Sequence, residues 1–276
     1  MENFIAVPPR QLPLSGNKPW YLPTLSPEHG VLLVMAGALL TGASLAQAWT
    51  GETTLACIAS FLGLQAEHPL IVQIKQRRQW RWRYITWAAS YSVVTVLLIG
   101  WLTFYHPILL WVLVGAAAAI AIDIMAVLHR RQKAIATEMV LFLAICLSTL
   151  LAYGVTAGTL TVQAVGLWLL NWLFFASAIF TIKLRKVKTS SLKGSLIYHG
   201  LAIAVVGLLY TLGWLSLLTA LTFLVAALKL LVIICLRGWY CNCRFEYIAR
   251  FETYFALTYT ALACLTVLPA TLPPPG

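Results

Sequence analysis

The chain has 276 residues, of which 61% are hydrophobic and only 10% are charged, and its formal net charge is +11. A water-soluble domain carries about 25% charged residues because its surface must be hydrated, so this composition excludes an ordinary soluble protein. The apolar runs are continuous over about twenty residues, the length that a helix needs to cross a bilayer. Lipid offers no hydrogen-bond partner to the backbone, so these runs predict an all-α polytopic transmembrane helix bundle.

The N-terminal segment differs from the rest of the chain. Residues 1–30 are polar and contain six of the twelve prolines. Repeated proline opposes helix formation, and the segment lacks the short apolar core of a cleavable signal peptide. We therefore expect a Pro-rich cytoplasmic tail over 1–30, a transmembrane bundle over 31–270 and a short outer tail over 271–276.

Nine apolar segments follow the tail, and each is long enough to cross a bilayer. They cover residues 31–49, 53–74, 84–104, 107–128, 137–156, 161–182, 195–213, 215–235 and 252–270. The seventh and eighth are separated only by Gly213, Trp214 and Leu215, so they form either a tight hairpin or one long helix.

The positions of the basic residues test this count, because cytoplasmic loops retain Lys and Arg. The tail and the second, fourth, sixth and eighth connections hold 18 of the 19 basic residues, and the last, Lys229, lies within the eighth segment. This alternation predicts nine spans, with the N-terminus in the cytoplasm and the C-terminus outside. The net positive charge then faces anionic lipid headgroups, and we expect membrane lipids and no nucleic acid as partners.

The cysteines predict neither disulfides nor a metal site. Four of the six lie in apolar segments, and Cys241 and Cys243 form a single Cys-Asn-Cys pair. A zinc site normally requires a second pair of ligands at a characteristic spacing. We therefore predict no metal and no cofactor.

The acidic residues and histidines concentrate near the predicted cytoplasmic ends of the spans. Glu67 and His68 lie near that end of the second span, Asp123 lies near that end of the fourth, and His199 lies about one turn into the seventh. Ionisable groups at membrane depth usually face a bundle interior or a water-filled cavity. These four side chains are the candidate catalytic residues, and they predict a polar cavity open to the cytoplasm.

Further charged side chains at the same level are candidates for ligand binding. They are Glu28, His29, Arg77, Arg78, Glu138, Lys183, Arg185 and Glu252. Together they would suit a lipidic or anionic small molecule whose apolar part lies between helices. A structural alternative applies to Glu28, Glu138 and Glu252, because an acid at a helix start is stabilised by the helix dipole. Pro69, beside Glu67 and His68, is either part of a ligand site or a simple kink.

Several short motifs resemble those of the YwiC-like family of bacterial polytopic membrane proteins. The motifs are Pro27-Glu28-His29-Gly30 before the first span, His68-Pro69-Leu70 followed by Arg77-Arg78, His129-Arg130-Arg131 followed by Glu138, Trp172-Leu173-Phe174-Phe175 leading to Lys183 and Arg185, His199, and Glu252. The resemblance extends over nearly the whole chain. It implies a multi-pass protein of the bacterial plasma (inner) membrane, or of another internal bacterial membrane, and it carries no established activity.

A weaker similarity concerns UbiA-type membrane prenyltransferases, which also have nine spans and charged second and sixth cytoplasmic loops. Those enzymes hold a diphosphate through magnesium on two aspartate-rich motifs, whereas this chain contains Asp123 as its one aspartate. The similarity therefore implies a shared fold, and fold alone does not carry function. The sequence leaves four functions open: a binding protein, a divergent prenyl- or lipid-transferase, a transporter, or a membrane assembly or scaffold subunit.

Overall fold

The computed structural model describes residues 21–26, 29–75, 81–129, 133–185 and 191–268, with the backbone alone for His29 and Lys75. Within these ranges the chain forms twelve helices and no strand. The helices are α1 (His29–Ala46), α2 (Gly51–Lys75), α3 (Trp82–Tyr105), α4 (Leu109–Leu128), α5 (Ile135–Ile145), α6 (Leu147–Ala157), α7 (Val162–Lys183), α8 (Leu192–Thr211), α9 (Leu217–Leu221), α10 (Leu224–Cys235), α11 (Arg237–Asn242) and α12 (Phe245–Val267).

Seven helical segments of the described chain are long and apolar enough to cross a membrane. They are Gly51–Ile74, Trp82–Tyr105, Leu109–Leu128, Ile135–Ala157, Val162–Lys183, Leu192–Thr211 and Leu217–Cys235. The predicted all-α membrane bundle is confirmed. The count of nine and the orientation stay predictions, because α1 is shorter and α12 carries Glu246, Arg250 and Glu252 near its start.

The junction between α8 and α9 is a tight hairpin and not a continuous helix. Gly213 has a φ of +74°, a left-handed conformation that glycine adopts at little cost, and it follows directly after the last turn of α8. Ser216 then caps α9, because its hydroxyl oxygen accepts a hydrogen bond from the Thr219 amide at 3.1 Å. The seventh and eighth apolar segments are therefore separate helices.

Helix α7 is the most buried of the candidate spans, whereas α3 and α4 bury little of their surface. Phe174 and Phe175 of α7 pack against Tyr259 of α12. Asn171 donates to the hydroxyls of Thr41 and Thr149 at 2.7 and 2.9 Å and accepts from Tyr259 at 2.8 Å. These bonds join α1, α6, α7 and α12 and satisfy a fully buried amide, which costs free energy when it is left unpaired.

Helices α1 and α6 cross at very short range. A Cβ atom built on Gly42 would clash with the Thr149 carbonyl oxygen, so only glycine permits this approach. Small residues at helix interfaces have this effect in membrane bundles, where close packing drives association. The crossing holds α1 against α6, and α1 also contacts α2, α5 and α7.

Candidate functional site

A cavity of about 480 Å³ lies at one end of the bundle, between α2, α4, α5 and α7. Among the residues that the structure describes, six ionisable side chains line it: Glu67 and His68 of α2, Asp123 of α4, Lys133 before α5, Glu138 of α5 and Lys183 of α7. The rest of the lining is Ser26, Val31, Leu64, Ile71, Val72, Leu141, Phe142, Ala178, Ile179 and Ile182. The cavity thus combines charged groups with an apolar wall. We call the end of the bundle that contains this cavity the charged end.

The wall between α5 and α7 is fixed by an ion pair. Lys183 Nζ lies 2.5 Å from Glu138 Oε2, and it also donates to the Lys133 carbonyl oxygen at 3.3 Å. The Lys183 side chain is only 12% exposed, so this pair is better shielded from water than a typical surface salt bridge. Glu138 therefore has a structural role, whatever it contributes to a ligand.

Glu67 and Asp123 bring two carboxyl groups from different helices into this cavity, and the Glu67 side chain is half-buried. His68 is also half-buried and adds an imidazole beside Glu67. Pro69 does not break α2, which continues to Lys75. The side chain of Gln65, one turn before Pro69, is buried and accepts a hydrogen bond from the Ser26 amide at 2.8 Å.

The structure does not describe the side chains of four of the sequence candidates. Glu28, Arg77 and Arg78 lie outside the described residues, and for His29 the structure describes the backbone alone. The remaining candidates, Arg185, His199 and Glu252, are placed by the structure but do not line the cavity.

Glu252 belongs to a second, buried polar network that joins α7, α10, α11 and α12. Its Oε2 accepts a hydrogen bond from Lys229 Nζ at 2.9 Å, and its Oε1 accepts from Thr181 at 2.9 Å and from Tyr240 at 3.2 Å. Lys229 also donates to the Ser177 hydroxyl at 3.0 Å. A buried charge is tolerated when it is paired and fully hydrogen-bonded, so this network neutralises both ions.

Tyr240 lies in the short helix α11, outside the candidate spans. Burial raises the pKa of Tyr240, and the neighbouring Glu252 carboxylate raises it further. The phenol therefore keeps its proton and remains a hydrogen-bond donor to that carboxylate.

His199 and Arg185 border this second network. His199 Nδ1 lies 2.8 Å from the Ser195 carbonyl oxygen, so Nδ1 carries a proton and donates it. Its Nε2 is buried without a hydrogen-bond partner among the described residues, within electrostatic range of Lys229 and Glu252. Arg185 donates to the Cys243 carbonyl oxygen at 2.6 Å and holds the loop after α11 against the end of α7.

Two polar residues of the described chain line the cavity but were not among the sequence candidates. Lys133 is one of three basic residues in the fourth connection, and nothing in that charged run distinguishes it from its neighbours. Ser26 lies in the polar tail, which carries no signal that it contacts the bundle. Among the described residues, no group of three or more His, Cys, Asp or Glu side chains is arranged to hold a metal ion.

The apolar helices and the ionisable groups among them define a multi-pass α-helical membrane protein. Residues 25–153 match the model of the family of YwiC-like proteins, so this part of the chain is similar to that family. The match confirms the resemblance and includes Glu67, His68, Asp123 and Glu138. The parallels at residues 172–185, 199 and 252 lie beyond the matched segment and stay predictions.

Neither the comparison with curated proteins nor that with solved structures gives a match. The weaker similarity to UbiA-type prenyltransferases is not confirmed.

Proposed function

We propose that this membrane protein binds an amphipathic, lipidic small molecule in the cavity at its charged end. The observation that carries the proposal is the composition of the cavity wall, which joins ionisable side chains to an apolar surface within one space of about 480 Å³. Ligand sites are typically concave, mostly apolar and equipped with a few convergent polar groups.

The two parts of the wall fit the two parts of such a ligand. Leu64, Phe142 and Ile179 come from three different helices and offer an apolar surface to a hydrocarbon tail. Glu67, His68 and Asp123 offer hydrogen-bonding and charged groups to a polar head. Lys133, which is exposed, adds a positive charge that attracts an anionic head.

The predicted orientation places this cavity on the cytoplasmic side of a bacterial plasma membrane. The charged end contains Lys133 and Lys183, which belong to the basic connections. The positive-inside rule assigns such connections to the cytoplasm. A ligand would then reach the cavity from the cytoplasm or from the inner leaflet.

A substitution that fills the cavity tests the proposal. Ala178 lines the cavity on α7, so Ala178→Phe would occupy the space where an apolar tail lies. Ala118→Phe on α4 is the matched control, because Ala118 is exposed and does not line the cavity. Lipids that co-purify with each variant in detergent are extracted and identified by mass spectrometry.

We expect the unsubstituted protein and Ala118→Phe to retain the same lipidic species in a fixed ratio to protein. Ala178→Phe should lose that species while its thermal unfolding in detergent remains cooperative. Equal retention by both Phe variants would contradict the proposal, because the bound lipid would then lie on the outer surface of the bundle.

A further inference from the structure

One ion pair accounts for two of the six ionisable side chains that line the cavity in the described part of the chain. Lys183 and Glu138 form this pair, and Lys183 also donates to the Lys133 carbonyl oxygen. The pair balances its own charges and belongs to the wall between α5 and α7. The choice of a ligand therefore depends mainly on the other four side chains.

Lys133 and His68 present nitrogen atoms to the cavity. Among the described residues, neither the Lys133 ammonium nor the His68 imidazole forms a hydrogen bond or an ion pair. An ammonium has three N–H donors, and a neutral imidazole has one. Because both side chains line the same cavity, they favour a ligand group that accepts hydrogen bonds and carries negative charge.

Glu67 and Asp123 present carboxyl groups to the cavity from α2 and α4. Each also takes part in an interaction within the protein. A carboxylate has about four lone-pair sites on its two oxygens, so it can accept a further hydrogen bond from a ligand. These two acids therefore favour a ligand group that donates hydrogen bonds and carries positive charge.

A head with a single sign of charge does not match this lining. Three carboxyl groups and two ammonium groups line the described part of the cavity, so a purely anionic head meets an excess of carboxyl groups. A purely cationic head meets the ammonium of Lys133. Like charges that are brought together at a binding site weaken binding strongly, and a head that carries both charges avoids both conflicts.

We propose that the cavity selects a lipidic ligand with a zwitterionic head. The amine of the head lies beside Glu67 and Asp123, and its oxyanion, a phosphate or a carboxylate, lies beside Lys133 and His68. The inference rests on the proposed function and deepens it, because it names the class of head that the same cavity binds.

Four amphiphiles with the same dodecyl tail test this selection. Dodecylphosphoethanolamine and N-dodecyl-β-alanine are zwitterions with a phosphate and a carboxylate, respectively, whereas dodecyl phosphate has only the oxyanion and dodecylamine only the amine. They compete for the purified full chain in a neutral detergent, and native mass spectrometry gives the ratio of the bound species. The ratio of the two zwitterions shows which oxyanion the cavity prefers.

Glu67→Gln and Lys133→Gln remove one charge of each sign from the cavity wall. Glu246→Gln is the matched control for the first variant, because Glu246 is 68% exposed and does not line the cavity. Lys193→Gln is the control for the second, because Lys193 is exposed and does not line the cavity either.

We expect the unsubstituted protein to bind at least one zwitterion in preference to both singly charged amphiphiles. Glu67→Gln should lower the preference for the zwitterion over dodecyl phosphate about tenfold, because it removes a hydrogen bond between charged groups at a half-buried side chain. Lys133→Gln should lower the preference over dodecylamine about threefold, because water screens an exposed ammonium. Both control variants should keep the ratios of the unsubstituted protein.

The opposite directions of the two shifts separate a direct contact with the head from a general loss of stability. A loss of stability would lower the binding of all four amphiphiles together. Equal binding of zwitterionic and singly charged amphiphiles, or ratios in Glu67→Gln and Lys133→Gln that equal those of their controls, would overturn the inference.

The two proposals fail separately in this design. If all four amphiphiles bind equally and Ala178→Phe loses them all, the cavity binds lipidic molecules without selecting the head. If the zwitterion is preferred and both ratios shift as expected while Ala178→Phe still binds it, the charged groups select the head but the tail lies outside the cavity.

Discussion

At the scale of single residues, the buried pair of Lys229 and Glu252 gives the sharpest prediction. The Lys229 side chain is only 2% exposed, and Glu252 is 14% exposed. Lys229→Met would leave the carboxylate buried without its cation, and breaking a buried pair in this way costs about 3–5 kcal/mol. We expect a clear loss of thermal stability in detergent.

The control for this prediction is the double variant Lys229→Met with Glu252→Gln. It removes both charges and keeps the Thr181 and Tyr240 hydroxyls near a neutral amide. We expect the double variant to recover a large part of the lost stability. A double variant that is as unstable as the sum of its two single variants would show that the two side chains do not interact.

Lys183 and Glu138 form the ion pair of the cavity wall, and their substitution should have a smaller effect. The Glu138 side chain is 28% exposed, so water screens part of the attraction. We expect Glu138→Gln to lower the free energy of unfolding by less than about 1 kcal/mol, measured by the same thermal assay. A loss as large as that of Lys229→Met would contradict this ranking of the two pairs.

At the scale of elements, the crossing of α1 and α6 depends on one glycine. Gly42→Ala would place a methyl group against the Thr149 backbone, which cannot move aside as a flexible side chain can. We expect Gly42→Ala to destabilise the protein by about 1–3 kcal/mol, the usual cost of overpacking. Gly207→Ala is the control, because a Cβ atom there meets nothing within 4 Å and Gly207 lies within α8, where alanine is the better helix former. Equal effects of the two substitutions would refute the close crossing.

The elements also show how far the sequence predicts this molecule. Hydropathy predicted the position of every long apolar segment, because the length of a span is set by the bilayer, but the segments at 137–156 and 215–235 each divide into two helices. The last one, α12, begins earlier than expected, at Phe245, since the polar turns with Glu246 and Arg250 are also helical. The sequence also predicted that Glu67, Asp123 and Glu138 share one level, and the structure places all three in one cavity.

What the sequence did not predict is which helices are neighbours and which way their faces point. Hydropathy gives the depth of a residue and not its direction around the helix axis. His199 was expected in the cavity, yet it borders the network of Lys229 and Glu252 and does not line the cavity. In the same way, Glu52 and His106 contact each other at 2.7 Å, although 54 positions separate them in the chain.

At the scale of the whole molecule, the predicted orientation is testable through the N-terminus. With nine spans and the basic connections inside, the N-terminus lies in the cytoplasm. If α1 does not cross the membrane, the charged end still faces the cytoplasm but the N-terminus lies outside. We expect a reporter that fluoresces only in the cytoplasm to be active at the N-terminus and inactive at the C-terminus. The opposite result at the N-terminus would contradict the nine-span topology.

The central claim concerns the cavity as a whole, and an experimental structure of the full chain in nanodiscs of bacterial lipid extract tests it most directly. We expect elongated density inside the cavity, with its apolar part along Leu64, Phe142 and Ile179 and its polar end beside Glu67 and Asp123. Lipid density that covers the outer surfaces of α3 and α4 while the cavity contains solvent alone would contradict the claim.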